Sequence, residues 1–202
     1  MRFNVSPIYW APWAYQLTLR LLYGKALDER YRAVSEMIPR NATVLEFCCG
    51  DGRLFCDYLR FKSVHYTGVD LLPQMTTPLR RHPVEIIHSD LRSFQPVKAD
   101  YCVMMGSLYH FHPDEAEILK KMLAAGTGIL LEPVHNYASS RRWLTRSLGR
   151  LMTYVGGTTS GYRLDDARLS EVLQSAGVQI IHEKPVLGGK YRLVVFGKTS
   201  AS

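Results

Sequence analysis

Only Leu187, Gly188, Gly189 and Lys190 separate two strand-like runs near the end of this sequence, Val178 to Pro185 and Tyr191 to Gly197. A parallel crossover needs a dozen residues or more, so these runs pair antiparallel, as a hairpin. Upstream the pattern is the reverse. Short β-branched runs at Thr43 to Phe47, Val64 to Asp70, Val84 to His88, Asp100 to Met105 and Gly128 to Glu132 alternate with helical stretches at Gly52 to Arg60, Pro73 to Arg81, Pro113 to Ala124 and Asp165 to Ala176. Such alternation places parallel strands beneath helices. The expected fold class is therefore α/β: a doubly wound, seven-stranded, mostly parallel sheet with a C-terminal antiparallel hairpin and helices on both faces.

A chain of 202 residues suits one domain with a core of its own. Within 1–202 we expect an N-terminal helical cap over 1–40, a core over 41–135, a helical insertion or lid over 136–163, and a C-terminal helix and hairpin over 164–198. The cap holds the aromatics Tyr9, Trp10, Trp13 and Tyr15.

Charge and cysteine usage bound the partners. A net charge of +7 attracts anions, whether a small acidic metabolite, an acidic membrane surface or nucleic acid, and equally describes a solvated basic surface. Cys48, Cys49, Cys56 and Cys102 show no paired metal-ligand spacing, so no metal is expected. With no secretory signal and no long apolar span, the expected location is cytoplasmic.

The run Val44-Leu45-Glu46-Phe47-Cys48-Cys49-Gly50-Asp51-Gly52-Arg53 is an apolar strand that ends in an acid and turns through glycines toward a helix. A Cβ at Gly50 would obstruct a ligand that must approach the backbone closely. Glu46 would repel a nucleotide pyrophosphate but suits a cationic amino group. Asp70 follows Gly52 by 18 residues at the end of the next strand, the interval at which Rossmann-type sites set an acid on ribose hydroxyls.

This run resembles motif I of the class I S-adenosylmethionine-dependent methyltransferases of the small-molecule type, an acid followed by G-x-G-x-G. Glu46 stands at the acidic position, Cys48 replaces the first glycine, and Gly50 and Gly52 supply the others. The resemblance extends through Ser89-Asp90-Leu91 and Tyr162-Arg163-Leu164 to Ser175-Ala176-Gly177-Val178, over roughly residues 40 to 198. It implies S-adenosylmethionine as cofactor, held by Glu46, Cys48, Cys49, Gly50, Asp51 and Gly52, by Asp70 and Leu71, by Asp90 and Leu91, and by Gly106 and Ser107. In this reading 41–135 is the cofactor-binding core.

Methyl transfer is a direct displacement, so alignment and exclusion of water matter most, and a base is needed only when the acceptor must lose a proton. His110, His112 and His135 follow the fourth and fifth strands and are the candidate bases. Each is equally at home packed or solvated. Tyr109 is a candidate for stacking on substrate. Read as a helix, Ser140 to Val155 aligns Arg142, Arg146 and Arg150 on one stripe, a candidate contact for an anionic substrate or for peripheral binding to an acidic membrane. An ordinary surface helix has the same pattern. The run after the fourth strand lacks the D/N/S-P-P-Y/F and Pro-Cys patterns of the family's nucleic-acid enzymes, which disfavours a nucleic-acid substrate.

The expected function is methyl transfer to an O or N atom of a small, anionic or lipid-like metabolite. A nicotinamide dehydrogenase would want a third glycine where Phe55 stands. A non-catalytic module that keeps the fold and contacts a membrane or protein is the alternative. The oligomeric state is not legible.

Overall fold

The computed structural model describes residues 26–134 and 164–198, together with Leu17 and Tyr162. His135, Arg142, Arg146, Arg150 and the four N-terminal aromatics lie outside the described residues.

Seven strands form one sheet: β1 Thr43–Phe47, β2 His65–Asp70, β3 Glu85–His88, β4 Tyr101–Met105, β5 Thr127–Pro133, β6 Gln179–Val186 and β7 Tyr191–Gly197. Their order is β3-β2-β1-β4-β5-β7-β6. The first five pair parallel, and β7 is antiparallel to both β5 and β6, so it alone runs against the sheet. The strand order reverses between β1 and β4. That switch point, at the C-terminal ends of the strands, is where open α/β sheets bind ligands.

Alternation along the strands sorts side chains onto two faces. Leu45, Phe47, Cys102, Met104, Leu130, Val194 and Phe196 pack with Ile118, Leu119 and Met122 of α2 (Glu115–Ala125) and Leu169, Val172 and Leu173 of α3 (Asp166–Ser175). Val44, Val103, Ile129, Leu131, Leu193 and Val195 pack with Leu27, Tyr31 and Val34 of α1 (Ala26–Glu36) and with Phe55 and Leu59. Both faces are thus covered, the second by α1, which docks through Arg53, 2.7 Å from Asp28, and through Tyr31 stacked on Tyr58.

Two expected helices form differently. Over Pro73 to Arg81 the chain makes turns and then a short 3-10 helix, Thr77–Arg81. Pro78 supplies no amide to an α-helix, and the Thr76 and Thr77 hydroxyls donate to the carbonyls of Pro73 and Gln74, competing with helix formation. After Gly52 the chain is α-helical only at 53–54, winds as a π-helix over Phe55–Leu59 and tightens at Arg60–Lys62. The wide turn accommodates Phe55 against Tyr66 at 4.8 Å and His82 at 5.6 Å, with Tyr58 still stacked on Tyr31.

Candidate active site

β1 delivers its acid at the switch point. Glu46 is buried among apolar neighbours and its Oε2 accepts a hydrogen bond from the Tyr66 hydroxyl at 2.6 Å. Loss of hydration pushes its carboxyl up to about 8, aided by the negative charges of Asp51 and Asp70, although the Tyr66 bond opposes the rise. Three positions of the following turn, Cys48, Gly50 and Gly52, have φ of 54°, 53° and 68°. Glycine adopts these values freely, whereas a side chain there costs on the order of 1–2 kcal/mol. Cys48 bears that strain. It is hydrogen-bonded to Ser107, and burial pushes its thiol well above its ordinary value.

The glycines serve separate ends. A Cβ on Gly50 would meet nothing within 4 Å, so this backbone borders open space, as close approach by a ligand requires. A Cβ on Gly52 would fall 2.2 Å from Leu79, so that glycine exists for packing beneath the turn. Cys49 is likewise a packing residue, its sulfur 2.8 Å from where a Cβ on Gly68 would lie. Asp51 is buried and accepts from the Arg53 amide at 3.2 Å.

Asp70 ties two turns together: Oδ2 accepts from the Gly50 amide at 2.8 Å and Oδ1 from the Leu72 amide at 2.9 Å. Each oxygen keeps a second lone pair for a ligand. Burial raises its pKa, and the two amides hold it back. Leu71 is half-buried beside it. Further along, the Asp90 carboxylate accepts from the Arg92 amide at 2.9 Å and opens a tight turn, while the Leu91 side chain lies in the core with Phe47 and Phe94. If Leu91 meets a ligand, it does so through its backbone.

β4 ends at Met105, and Gly106 after it has φ of 62° and its amide 2.8 Å from the Leu131 carbonyl. The Ser107 and Leu108 amides both donate to Glu132 Oε1, at 2.8 and 2.9 Å. Glu132 is completely buried at the end of β5 and is pushed up to about 7 by loss of hydration, against the pull of those amides and of Arg30. Tyr109 and His110 contact ring to ring at 4.1 Å. His112 is engaged on both sides, its Nδ1 3.0 Å from Glu115 and its ring stacked on Tyr162 at 3.7 Å.

Glu46, the Cys48 to Asp51 turn, Asp70, Gly106 and Ser107 therefore share one linked neighbourhood. Gly52 supports it from below. Asp90 and His112 make their contacts elsewhere. Sequence reasoning missed Tyr66, Arg30 and Glu132. For Glu132 a signal existed, an acid at the end of an apolar strand, the same signal that singled out Glu46.

The sequence matches the family described as "Methyltransferase domain" over residues 18–183. No curated protein matches it. Among solved structures, an O-methyltransferase family protein from Burkholderia thailandensis is similar with a TM-score of 0.67 and 20% identity, covering 94% of this chain and 60% of that one. A TehB-like SAM-dependent methyltransferase from Corynebacterium glutamicum has a TM-score of 0.63 and 21% identity, covering 93% of this chain and 96% of that one. Human N-acetylserotonin methyltransferase, in complex with SAM, has a TM-score of 0.65 and 15% identity, covering 96% of this chain and 58% of that one. The chain thus spans about three fifths of the Burkholderia and human proteins and nearly all of the Corynebacterium one. At these identities the structures establish the shared fold, and the family match establishes the rest: the chain belongs to the methyltransferase-domain family.

Proposed function

We propose that this methyltransferase moves a methyl group from S-adenosylmethionine to an O or N atom of a small metabolite, and that the turn between Glu46 and Asp70 holds the cofactor. The observation that carries the assignment of the site is the open backbone at Gly50, with the buried Glu46 carboxyl on one side and the half-buried Asp70 carboxyl on the other. The donor set fits the group. Glu46, with Oε2 taken by Tyr66, offers Oε1 to a cationic amino group, and Asp70 offers its two remaining lone pairs to vicinal hydroxyls. Bound S-adenosylmethionine supplies a methyl group already activated on a sulfonium. The chain itself has to orient, exclude water and receive a proton where the acceptor carries one.

A cation beside Glu46 favours its ionised form, so binding near neutral pH releases a proton from a carboxyl that burial had kept protonated. Arg142, Arg146 and Arg150 support an anionic or lipid-like metabolite, on sequence grounds alone. Among the described residues no helix is long and apolar enough to cross a membrane. The four cysteines are free thiols, which accords with a reducing, cytoplasmic setting. Residues 41–135 read as the cofactor core and 164–198 as the closing helix and hairpin.

Calorimetric titration with S-adenosylhomocysteine tests this, with NAD as control. Micromolar binding, weakened roughly 10- to 100-fold by Glu46→Ala, and no heat from NAD are expected. Silence from folded protein would move the non-catalytic module to first place.

A further inference from the structure

The two oxygens of Glu132 have different fates. Oε1 clamps the turn after β4 through the Ser107 and Leu108 amides. Oε2 is buried and has no hydrogen-bond partner among the described residues. Among the described residues, Arg30 of α1 and the Cys48 thiol of the β1 turn interact electrostatically with this carboxyl. Arg192, opposite Glu132 in the β5–β7 register, is held by Glu183, Asp166 and Ser170. A buried acceptor without a donor is destabilising, so keeping one points to a donor that arrives from outside.

Position says which donor. The strand order β2-β1-β4-β5 sets Asp70, Glu46, Ser107 and Glu132 in that sequence along the C-terminal edge. With ribose hydroxyls at Asp70 and the amino-acid part at the β1 turn, the β4–β5 end is left to the methyl acceptor. We propose that Glu132 Oε2 faces the reacting methyl and accepts the hydrogen bond of the N–H or O–H nucleophile that receives it. This rests on the cofactor assignment above.

In the step itself the nucleophile's lone pair bonds to the methyl carbon, the carbon–sulfur bond breaks with its electron pair left on sulfur, and the nucleophile's proton passes to the Glu132 carboxylate. A carboxyl pushed up to about 7 is suited to that exchange near neutral pH. The acceptor class narrows to an amine or hydroxyl. A bare carboxylate nucleophile brings no proton and would be repelled.

Sinefungin tests this without knowledge of the acceptor. It resembles S-adenosylhomocysteine but carries a primary amine on a carbon in place of the sulfur, so it presents N–H donors where the methyl would stand. At about pH 8 the wild-type protein is expected to bind sinefungin roughly tenfold or more tightly than S-adenosylhomocysteine by calorimetry. Glu132→Gln keeps an oxygen for the Ser107 and Leu108 amides, and is expected to bring the two ligands within about threefold of each other. In wild-type protein, which needs no variant to fold, the preference is expected to grow from about pH 6 to about pH 8 as Glu132 ionises. Glu46 faces a part common to both ligands and cancels from the ratio. Equal affinities in wild type, a pH-independent preference, a preference that survives Glu132→Gln, or loss of both ligands together in that variant would each overturn the assignment. If wild type binds neither ligand, the cofactor reading itself falls and this inference with it.

Discussion

The β1–β2 side of the sheet and its β6–β7 hairpin handle charge in opposite ways. Glu46, buried, and Asp70, half-buried, both lose hydration and are shifted toward their protonated forms. On the hairpin, Arg192 makes ion pairs with Glu183 at 2.7 Å and Asp166 at 3.2 Å, and both of those carboxylates are exposed to water. The first arrangement costs stability until a ligand arrives, whereas the second costs little and gains little. Desolvated carboxyls thus mark the side that we propose binds the cofactor, and well-paired exposed charge marks the side that closes the sheet.

The largest effect that would sharpen this contrast comes from two glycines with similar φ. Gly52→Ala puts a Cβ 2.2 Å from Leu79 at φ of 68°, whereas Gly188→Ala, at φ of 61° in the hairpin turn, meets open space. Urea denaturation is expected to show a loss of about 2–4 kcal/mol for the first and about 1 kcal/mol for the second. Equal losses would mean that packing under the cofactor turn counts for nothing. Next comes Asp70→Ala, which strands the Gly50 and Leu72 amides. Affinity for S-adenosylhomocysteine is expected to fall by about 100-fold or less, and unchanged binding would break the assignment of this side.

The pH dependence is a smaller effect with a definite sign. Glu46 and Glu132 have folded-state values of about 8 and about 7, above the ordinary 4.5, so the folded protein holds their protons more tightly than the unfolded chain does. Their contribution is fully present below about pH 4.5 and is lost as pH rises through 7 and 8. Ligand-free protein is expected to show a falling urea midpoint from pH 5 to about 8, flattened in Glu46→Gln. A midpoint rising over that range would contradict the burial argument. The smallest effect belongs to the hairpin: Arg192→Met is expected to cost under about 1 kcal/mol and to leave S-adenosylhomocysteine affinity within about twofold.

The strands were legible because β-branching and burial act together: all seven lie within about a residue of their expected limits, and β1 and β7 coincide with them. The hairpin was legible from chain length alone. The stretch 73–81 was not, because threonine hydroxyls satisfied its carbonyls locally, a competition invisible to hydrophobic periodicity. In the site, Glu46 and Asp70 stood out through their spacing to glycines. Glu132 shares the strand-end position of Glu46 but has no glycine turn after it, and its importance lies in two amides 24 and 25 residues away and in an oxygen left over. Arg30, whose guanidinium sits over the Tyr191 ring at 4.4 Å, joins elements distant in sequence, and no local pattern foretells such a contact.

β7 lies between β5 and β6 although it is the last of these seven strands to be made. While a ribosome is still extending residues 191–197, β5 is a bare edge carrying Ile129, Leu130 and Leu131, and the gap at Gly128 that Phe196 will fill stands empty. An open apolar edge of this kind pairs readily with any neighbouring chain. Synthesis therefore passes through an interval in which the nascent protein is most prone to aggregate. The final strand ends that interval as a bolt closes a door, by sliding into a slot that the earlier strands have already framed.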